Sequence, residues 1–223
     1  MSQSTWTAVD QYFCDTLAAT DDLLDATLRD SAAAGLPPIS VSANQGKLLY
    51  LLAQMQGAEN ILEIGTLGGY STIWLARALP AGGQLITLEA SARHAAVARA
   101  NLARAGFAEV VDVREGAALA SLPKIAAEGR PAFDMSFIDA DKSNNPEYFA
   151  WALKLSKPGS IIVVDNVVRD GAVIDASSQD ASVRGVRRLA ALIAATPNVS
   201  ATAIQTVGAK GYDGFILARV AAA

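Results

Sequence analysis

The run Phe137-Ile-Asp-Ala-Asp-Lys-Ser-Asn144 sets an acid, Asp139, at the end of an apolar stretch and an amine, Lys142, three residues later. A second apolar run, Ile161-Ile-Val-Val164, ends in Asp165-Asn166. If the two runs are neighbouring parallel strands, Asp139, Asp165 and Asn166 converge at one edge of a sheet with Lys142 beside them. Three oxygen donors with no sulfur or imidazole favour Mg²⁺, Mn²⁺ or Ca²⁺ over zinc or copper. Three protein ligands leave octahedral positions open for water, or for a substrate with two adjacent oxygens. A hydroxyl held there would lose its proton near neutral pH. Lys142 could take that proton or pair with the oxyanion. Asp139 alone would read as a strand-end acid capping the next helix; the second pair and the lysine turn the reading towards chemistry. Asp141, in the same turn, should point away from Asp139 into an outer or solvated position.

A glycine loop supplies the second constellation. The stretch Glu63-Ile-Gly-Thr-Leu-Gly-Gly-Tyr-Ser71 has glycines at 65, 68 and 69, which allow a tight turn and close backbone approach to a ligand. Its spacing is G-x-x-G-G, not the G-x-G-x-x-G of dinucleotide sites, and no lysine follows as in a phosphate-binding loop. Glu89 ends the next apolar run, at the place where carboxylates hold ribose hydroxyls. Glu63, inside the first run, would be costly to bury without hydrogen bonds. A ligand with an ammonium and a ribose but no phosphate suits this pattern, and S-adenosylmethionine is such a ligand.

These residues need a scaffold, and the pattern provides one. Residues 5–30 read as one helix, broken at Gly35-Leu-Pro-Pro38. Ser42 and Gln45 have capping-box spacing for a helix over about 43–56. Strand-like runs follow at 60–65, 84–89, 110–114, 133–139 and 161–165. Helical stretches separate them at 70–79, 91–105, 117–128 and 146–156, the third with a potential kink at Pro123. A helix over about 182–195 and strands at 199–207 and 214–220 complete the chain. Such alternation means an α/β fold, a mostly parallel sheet with helices on both faces, whose ligands bind at the carboxyl ends of the strands.

Composition narrows the partners. The 223 residues suit one domain, and 52% hydrophobic content argues against disorder. The net charge of −4 and the lack of a basic run exclude a nucleic-acid stripe; Arg184, Arg187 and Arg188 read as a solvated helix face. No apolar run approaches a membrane span, and the first residues lack signal-peptide features. The lone cysteine, Cys14, suits a cytoplasmic protein and reads as a filler in a helix. The lone histidine, His94, removes multi-histidine zinc sites and reads as near-surface.

Together the motifs resemble the cation-dependent O-methyltransferases, the group that includes caffeoyl-CoA and catechol O-methyltransferases. The resemblance runs from about Ser42 to the C-terminus. It takes in Ser42-Ala-Asn-Gln-Gly46, the 63–71 loop, Arg114-Glu-Gly116, Phe137-Ile-Asp-Ala-Asp-Lys142, Val164-Asp-Asn166 and Asp213-Gly-Phe-Ile-Leu-Ala-Arg219. It implies a Rossmann-like class I methyltransferase domain over 41–223, with residues 1–40 as a helical segment of the same domain. It also implies a seven-stranded sheet with its last strand antiparallel, S-adenosylmethionine as donor, a divalent cation (usually Mg²⁺) and a homodimer. By position, Val41, Glu63, Gly65, Thr66, Ser71, Glu89, Ala117 and Asp139 would contact the donor. Asp139, Asp165 and Asn166 would hold the metal, and Lys142 matches the catalytic lysine, with Asp139 beside it.

Three positions depart from the family pattern. Val41 stands where plant members often carry a polar residue, and Ala117 where proline is common. Val167-Val-Arg-Asp-Gly171 replaces the plant Thr-Leu-Trp in a stretch expected to line the acceptor pocket, which argues against a plant-type CoA ester. The expected activity is methyl transfer to one hydroxyl of a vicinal dihydroxy aromatic small molecule. The competing readings are a non-catalytic S-adenosylmethionine-binding protein and a nucleotide-cofactor oxidoreductase.

Overall fold

The computed structural model describes residues 2–18 and 21–222. Three helices open the chain: α1 (Gln3–Thr16), α2 (Asp22–Ala33) and α3 (Ala43–Gln56). The single helix expected over 5–30 is therefore two. Asp21 ends the first connection by capping α2, accepting from the amides of Leu23 and Leu24 at 3.1 and 3.0 Å. Positions 19 and 20 of that expected helix lie outside the described residues. The capping signal at Ser42 holds: its hydroxyl accepts from the Gln45 amide, and Gly57 closes α3 with φ 62°.

Strands and helices then alternate: β1 (Asn60–Ile64), α4 (Tyr70–Ala76), β2 (Gln84–Glu89), α5 (Ala92–Arg104), β3 (Val111–Glu115), α6 (Ala118–Ala127) and β4 (Phe133–Ile138). A 3₁₀ turn, Lys142–Asn144, leads into α7 (Asn145–Lys154), followed by β5 (Ser156–Asp165), a second 3₁₀ turn (Ala172–Ile174), α8 (Ala181–Ala194), β6 (Val199–Gly208) and β7 (Gly211–Val220). Pro123 lies inside α6, which continues through it. β5 starts five residues earlier than its apolar run suggests, because Ser156 pairs with Phe133 across a register shift.

The seven strands stand in the order β3-β2-β1-β4-β5-β7-β6. β1 pairs in parallel with β2 and β4, β4 with β5, and β7 lies antiparallel to β5 and β6. The order reverses between β1 and β4, the switch point where a crevice opens at the carboxyl ends. Alternation along β1 sends Leu62 and Ile64 into a core beneath α6, α7 and α8, and Ile61 into one beneath α3, α4 and α5. Glu63 shares Ile61's face, and that parity governs its chemistry. No helix among the described residues is long and apolar enough to cross a membrane.

Candidate active site

The crevice between the ends of β1, β2, β4 and β5 is a cleft of about 740 Å³, within the usual range for small-molecule sites. Val41, Gly65, Thr66, Ser71, Glu89, Ala117, Asp139, Lys142 and Asn166 all line it. Glu63 and Asp165, the other two expected site residues, lie immediately behind the lining, both buried. A second groove, of about 800 Å³, runs along the open β3 edge. It contains none of the expected residues, and Arg114 in its wall is tied to Glu128 and Asp112.

Under the β1 end, Glu63 is fully buried and surrounded by hydroxyls. Register places Thr87 of β2 directly beside it on the same face. The first turn of α4 brings Ser71 and Thr72 over that face. The carboxylate accepts from Ser71 Oγ at 2.6 Å, Thr72 Oγ1 at 2.5 Å and Thr87 Oγ1 at 2.7 Å. Thr66 Oγ1 in turn lies 2.5 Å from Thr87 Oγ1, so the loop is tied to the same cluster. Burial pushes Glu63 up to about 7, against the pull of the three hydroxyls and with a smaller push from the Asp139 charge. Its link to the cleft is Ser71, which touches both.

The loop itself is held by backbone contacts. Gly65 has φ 106°, and a Cβ there would overlap the backbone carbonyl of Asp139. The Asp139 amide donates to the Ile64 carbonyl at 2.8 Å, joining the ends of β1 and β4. Glu89 accepts from the Leu67 amide at 2.8 Å and the Ser91 amide at 2.9 Å, one on each oxygen. Glu89 thus pins the glycine loop as well as facing the cleft. His94 follows on α5 with Nδ1 3.5 Å from Glu89, part-exposed and on the cleft wall.

On the other side of the switch point the geometry is less complete. Lys142, almost fully buried, donates to Asp139 Oδ1 at 2.6 Å. Asp165 accepts from the Asn166 amide at 2.9 Å. Burial, then the neighbouring Asp139 charge, raise Asp165 well above the carboxylate range despite the pull of Lys142. The Asn166 side chain makes no hydrogen bond among the described residues, and its backbone is left-handed, φ 56°. Two acids facing one amine, with a free amide oxygen beside them, suit a hard divalent cation. No group of three or more acids, histidines or cysteines among the described residues is placed to hold a metal ion. A cation here would rely on two carboxylates and an amide, leaving positions for water and substrate.

Several contributors escape a reading of the sequence. Thr72 and Thr87 complete the Glu63 cluster; strand register could have revealed Thr87, since it pairs with Glu63. Gly185 lets α8 pack on the turn carrying Lys142, where a Cβ would overlap the Lys142 carbonyl. Asp141 is exposed, as its expected outer position implies, and there it accepts from Tyr148 Oη at 2.5 Å, Asn144 Nδ2 at 2.6 Å and Ser143 Oγ at 2.9 Å, partners the spacing does not reveal. Burial, then that acid, hold the Tyr148 proton more firmly than usual. Arg184 and Arg188 are solvated as expected, and Arg187 and Arg188 also act as braces, donating to the carbonyls of Val173 and Ser143 at 2.6 Å each.

The chain is similar to known proteins over nearly its whole length. A family model described as O-methyltransferase matches residues 15–220. A catechol O-methyltransferase of Niastella koreensis is 54% identical over 99% of this chain and 100% of its own. A catechol O-methyltransferase of Mycobacterium tuberculosis is 52% identical over 95% of this chain and 94% of its own. An O-methyltransferase from Bacillus cereus, solved in complex with SAH, superposes with a TM-score of 0.97 at 61% identity, covering 98% of this chain and 100% of that one. The chain belongs to the O-methyltransferase family, and its seven-stranded sheet is that of the Rossmann-like class I S-adenosylmethionine methyltransferases.

Proposed function

We propose that this O-methyltransferase moves the methyl group of S-adenosylmethionine to one hydroxyl of a vicinal dihydroxy aromatic small molecule. The observation that carries this is the joining of the Glu63–Ser71–Glu89 loop and the Lys142–Asp139–Asp165 cluster across one cleft. The SAH bound to the Bacillus relative and the catechol activity in the names of two relatives support the same reading.

In this reading Gly65, Thr66 and Ser71 flank the donor's methionine part with Val41, and Glu89 faces its ribose. Ala117, at the start of α6, borders the adenine. Asp139, Asp165 and Asn166 would hold Mg²⁺, or Mn²⁺ or Ca²⁺ in its place. Such a cation would supply Lewis acidity, lowering the pKa of an acceptor hydroxyl. The hydroxyl oxygen attacks the sulfonium methyl in line, the carbon–sulfur bond breaks, and its electron pair stays on sulfur. Lys142 holds or accepts the hydroxyl proton, and Asp139 sets its position through the 2.6 Å contact. Positioning the two reactants supplies a large share of the rate.

The protein acts as a homodimer in the cytoplasm in this reading. Helix α1 buries none of its own residues and leaves Val9, Tyr12 and Phe13 exposed. Strand β6 beside it is a sheet edge with Ile204 and Val207 exposed, the kind of surface a second copy covers. The one cysteine, Cys14, is free, as suits a reducing compartment.

The test is transfer of labelled methyl to a panel of caffeic acid, caffeoyl-CoA, a catechol flavonoid and their single-hydroxyl counterparts. Transfer confined to vicinal diols is expected. Equal transfer to the single-hydroxyl compounds would overturn the chelated-diol reading.

A further inference from the structure

We propose that Arg169 binds a carboxylate on the acceptor, so that the substrate class is a carboxylated vicinal aromatic diol. This rests on the methyl-transfer reading above and narrows it.

The loop after β5 turns through left-handed backbone. Asn166, Arg169 and Asp170 all have left-handed backbones, with φ 56°, 57° and 55°, and none is glycine. Asn and Asp visit that conformation readily but an Arg side chain is crowded in it, so the turns of a loop that includes Arg169 persist where the surroundings enforce them. Here β7 enforces them. Asp213 Oδ1 accepts from the amides of Val168 at 2.9 Å and Arg169 at 3.0 Å, and the Gly214 carbonyl accepts from the Val167 amide at 3.0 Å. From the other side, Arg187 of α8 donates to the Val173 carbonyl. The clamp sets Arg169 in the cleft wall with Asn166, Asn144 and Ser182.

Arg169 has little to do there without a ligand. Its Nε is buried and has no hydrogen-bond partner, and the guanidinium makes no hydrogen bond among the described residues. The nearest acid oxygen is Asp213 Oδ2, 3.7 Å from NH1, and the other oxygen of that carboxylate is spent on the loop amides. Asp180, which feels the arginine's charge, uses its carboxylate to cap α8. Arg169 therefore influences its acidic neighbours through charge alone, and the two terminal nitrogens of its part-exposed guanidinium keep their donors open. A planar fork of N–H groups matches a carboxylate in two-point contact. Asn166, three residues earlier in the same loop, is a candidate metal ligand, so the diol and its carboxylate would be read from one clamped segment.

The experiment compares 3,4-dihydroxybenzoate with its methyl ester, which keeps the diol and removes the charge. Wild type should show kcat/KM at least about ten-fold higher for the acid, the range of a charge-assisted hydrogen bond. R169Q should reduce the acid-to-ester ratio about ten-fold or more, and R169K should fall between, keeping charge without the fork. Calorimetric binding of both compounds, with S-adenosylhomocysteine and Mg²⁺ present, reads the same ratio without turnover. A wild-type ratio near one would overturn the proposal, as would equal loss for acid and ester in R169Q or no binding of either compound. If the acid binds selectively through Arg169 but neither compound is methylated, the methyl-transfer reading fails and the Arg169 assignment stands. If both compounds are methylated with a ratio indifferent to R169Q, the Arg169 assignment fails and the methyl-transfer reading stands.

Discussion

The two halves of the cleft differ in how far the protein satisfies itself. On the β1–β2 side every acid is engaged: Glu63 accepts three hydroxyls and Glu89 two amides. On the β4–β5 side Asp165 accepts one amide, and among the described residues the Asn166 side-chain amide has no partner and Arg169 Nε is buried without one. The backbone follows the same division. Left-handed turns near β1 fall mostly on glycines, with Leu67 the exception, whereas the loop after β5 forces Asn166, Arg169 and Asp170 into that region. The first half is ready to receive its ligand, while the second is arranged so that cation and acceptor complete it. Buried polar atoms without a partner also occur at Trp74, Arg130, Ser136, Asn145 and Glu147 among the described residues, but of these residues Arg169 is the one that lines the cleft, where a ligand can reach its side chain.

Breaking the second half should leave the first intact. Asp165→Ala should lower kcat/KM for a catechol by about 1,000-fold or more, as loss of a principal electrostatic element does. Donor affinity should change by roughly three-fold or less, under about 1 kcal/mol, as measured by calorimetry. Detectable donor binding with unchanged turnover would remove the metal role from Asp165.

Breaking the first half should damage both. In Gly65→Ala the new Cβ meets the Asp139 carbonyl at a φ of 106°, so the ends of β1 and β4 must part. A cost of about 2–4 kcal/mol in denaturant unfolding is expected, with donor binding lost alongside. Unchanged donor affinity in this variant would show that the close approach is dispensable.

Glu63 allows a pH test of the same comparison. Its native pKa of about 7 lies above its ordinary value of 4.5, so the native state holds this proton more tightly than the unfolded chain. Stability should therefore fall as pH rises from about 4.5 to about 7 and level off above. Glu63→Gln should remove that part of the slope, leaving the variant relatively more stable than wild type at pH 8 than at pH 5. Thermal melts of the ligand-free protein across this range measure it, and parallel profiles would contradict the buried-acid account. The smallest effect is expected from Tyr148→Phe, which deletes one hydrogen bond to Asp141 and should cost about 1 kcal/mol in chemical unfolding.

Much of this is legible in the residue order. Acids closing apolar runs, glycines after β1 and capping pairs such as Ser42 with Gln45 are local signals, and local rules read them correctly. What local rules miss depends on contacts distant in sequence or on competition between them. No glycine or proline separates α1 from α2, and the break depends on Asp21 winning the capping position. Asp141 keeps the outer, solvated position that its spacing suggests, but spacing gives no sign of Tyr148, which folds back onto it. The clamp from Asp213 onto the 168–169 amides spans 45 and 44 positions and gives no local sign. Gly185 resembles an ordinary helical glycine until α8 lies against the Lys142 carbonyl.

The most direct test of the division is to follow both ligands on one sample, with and without cation. S-adenosylmethionine binding is measured by calorimetry, and labelled methyl transfer to a catechol is measured beside it, in Mg²⁺ and in excess chelator. The account predicts donor binding in both conditions and transfer only with Mg²⁺. Transfer undiminished by chelator, or donor binding that disappears with the cation, would contradict it.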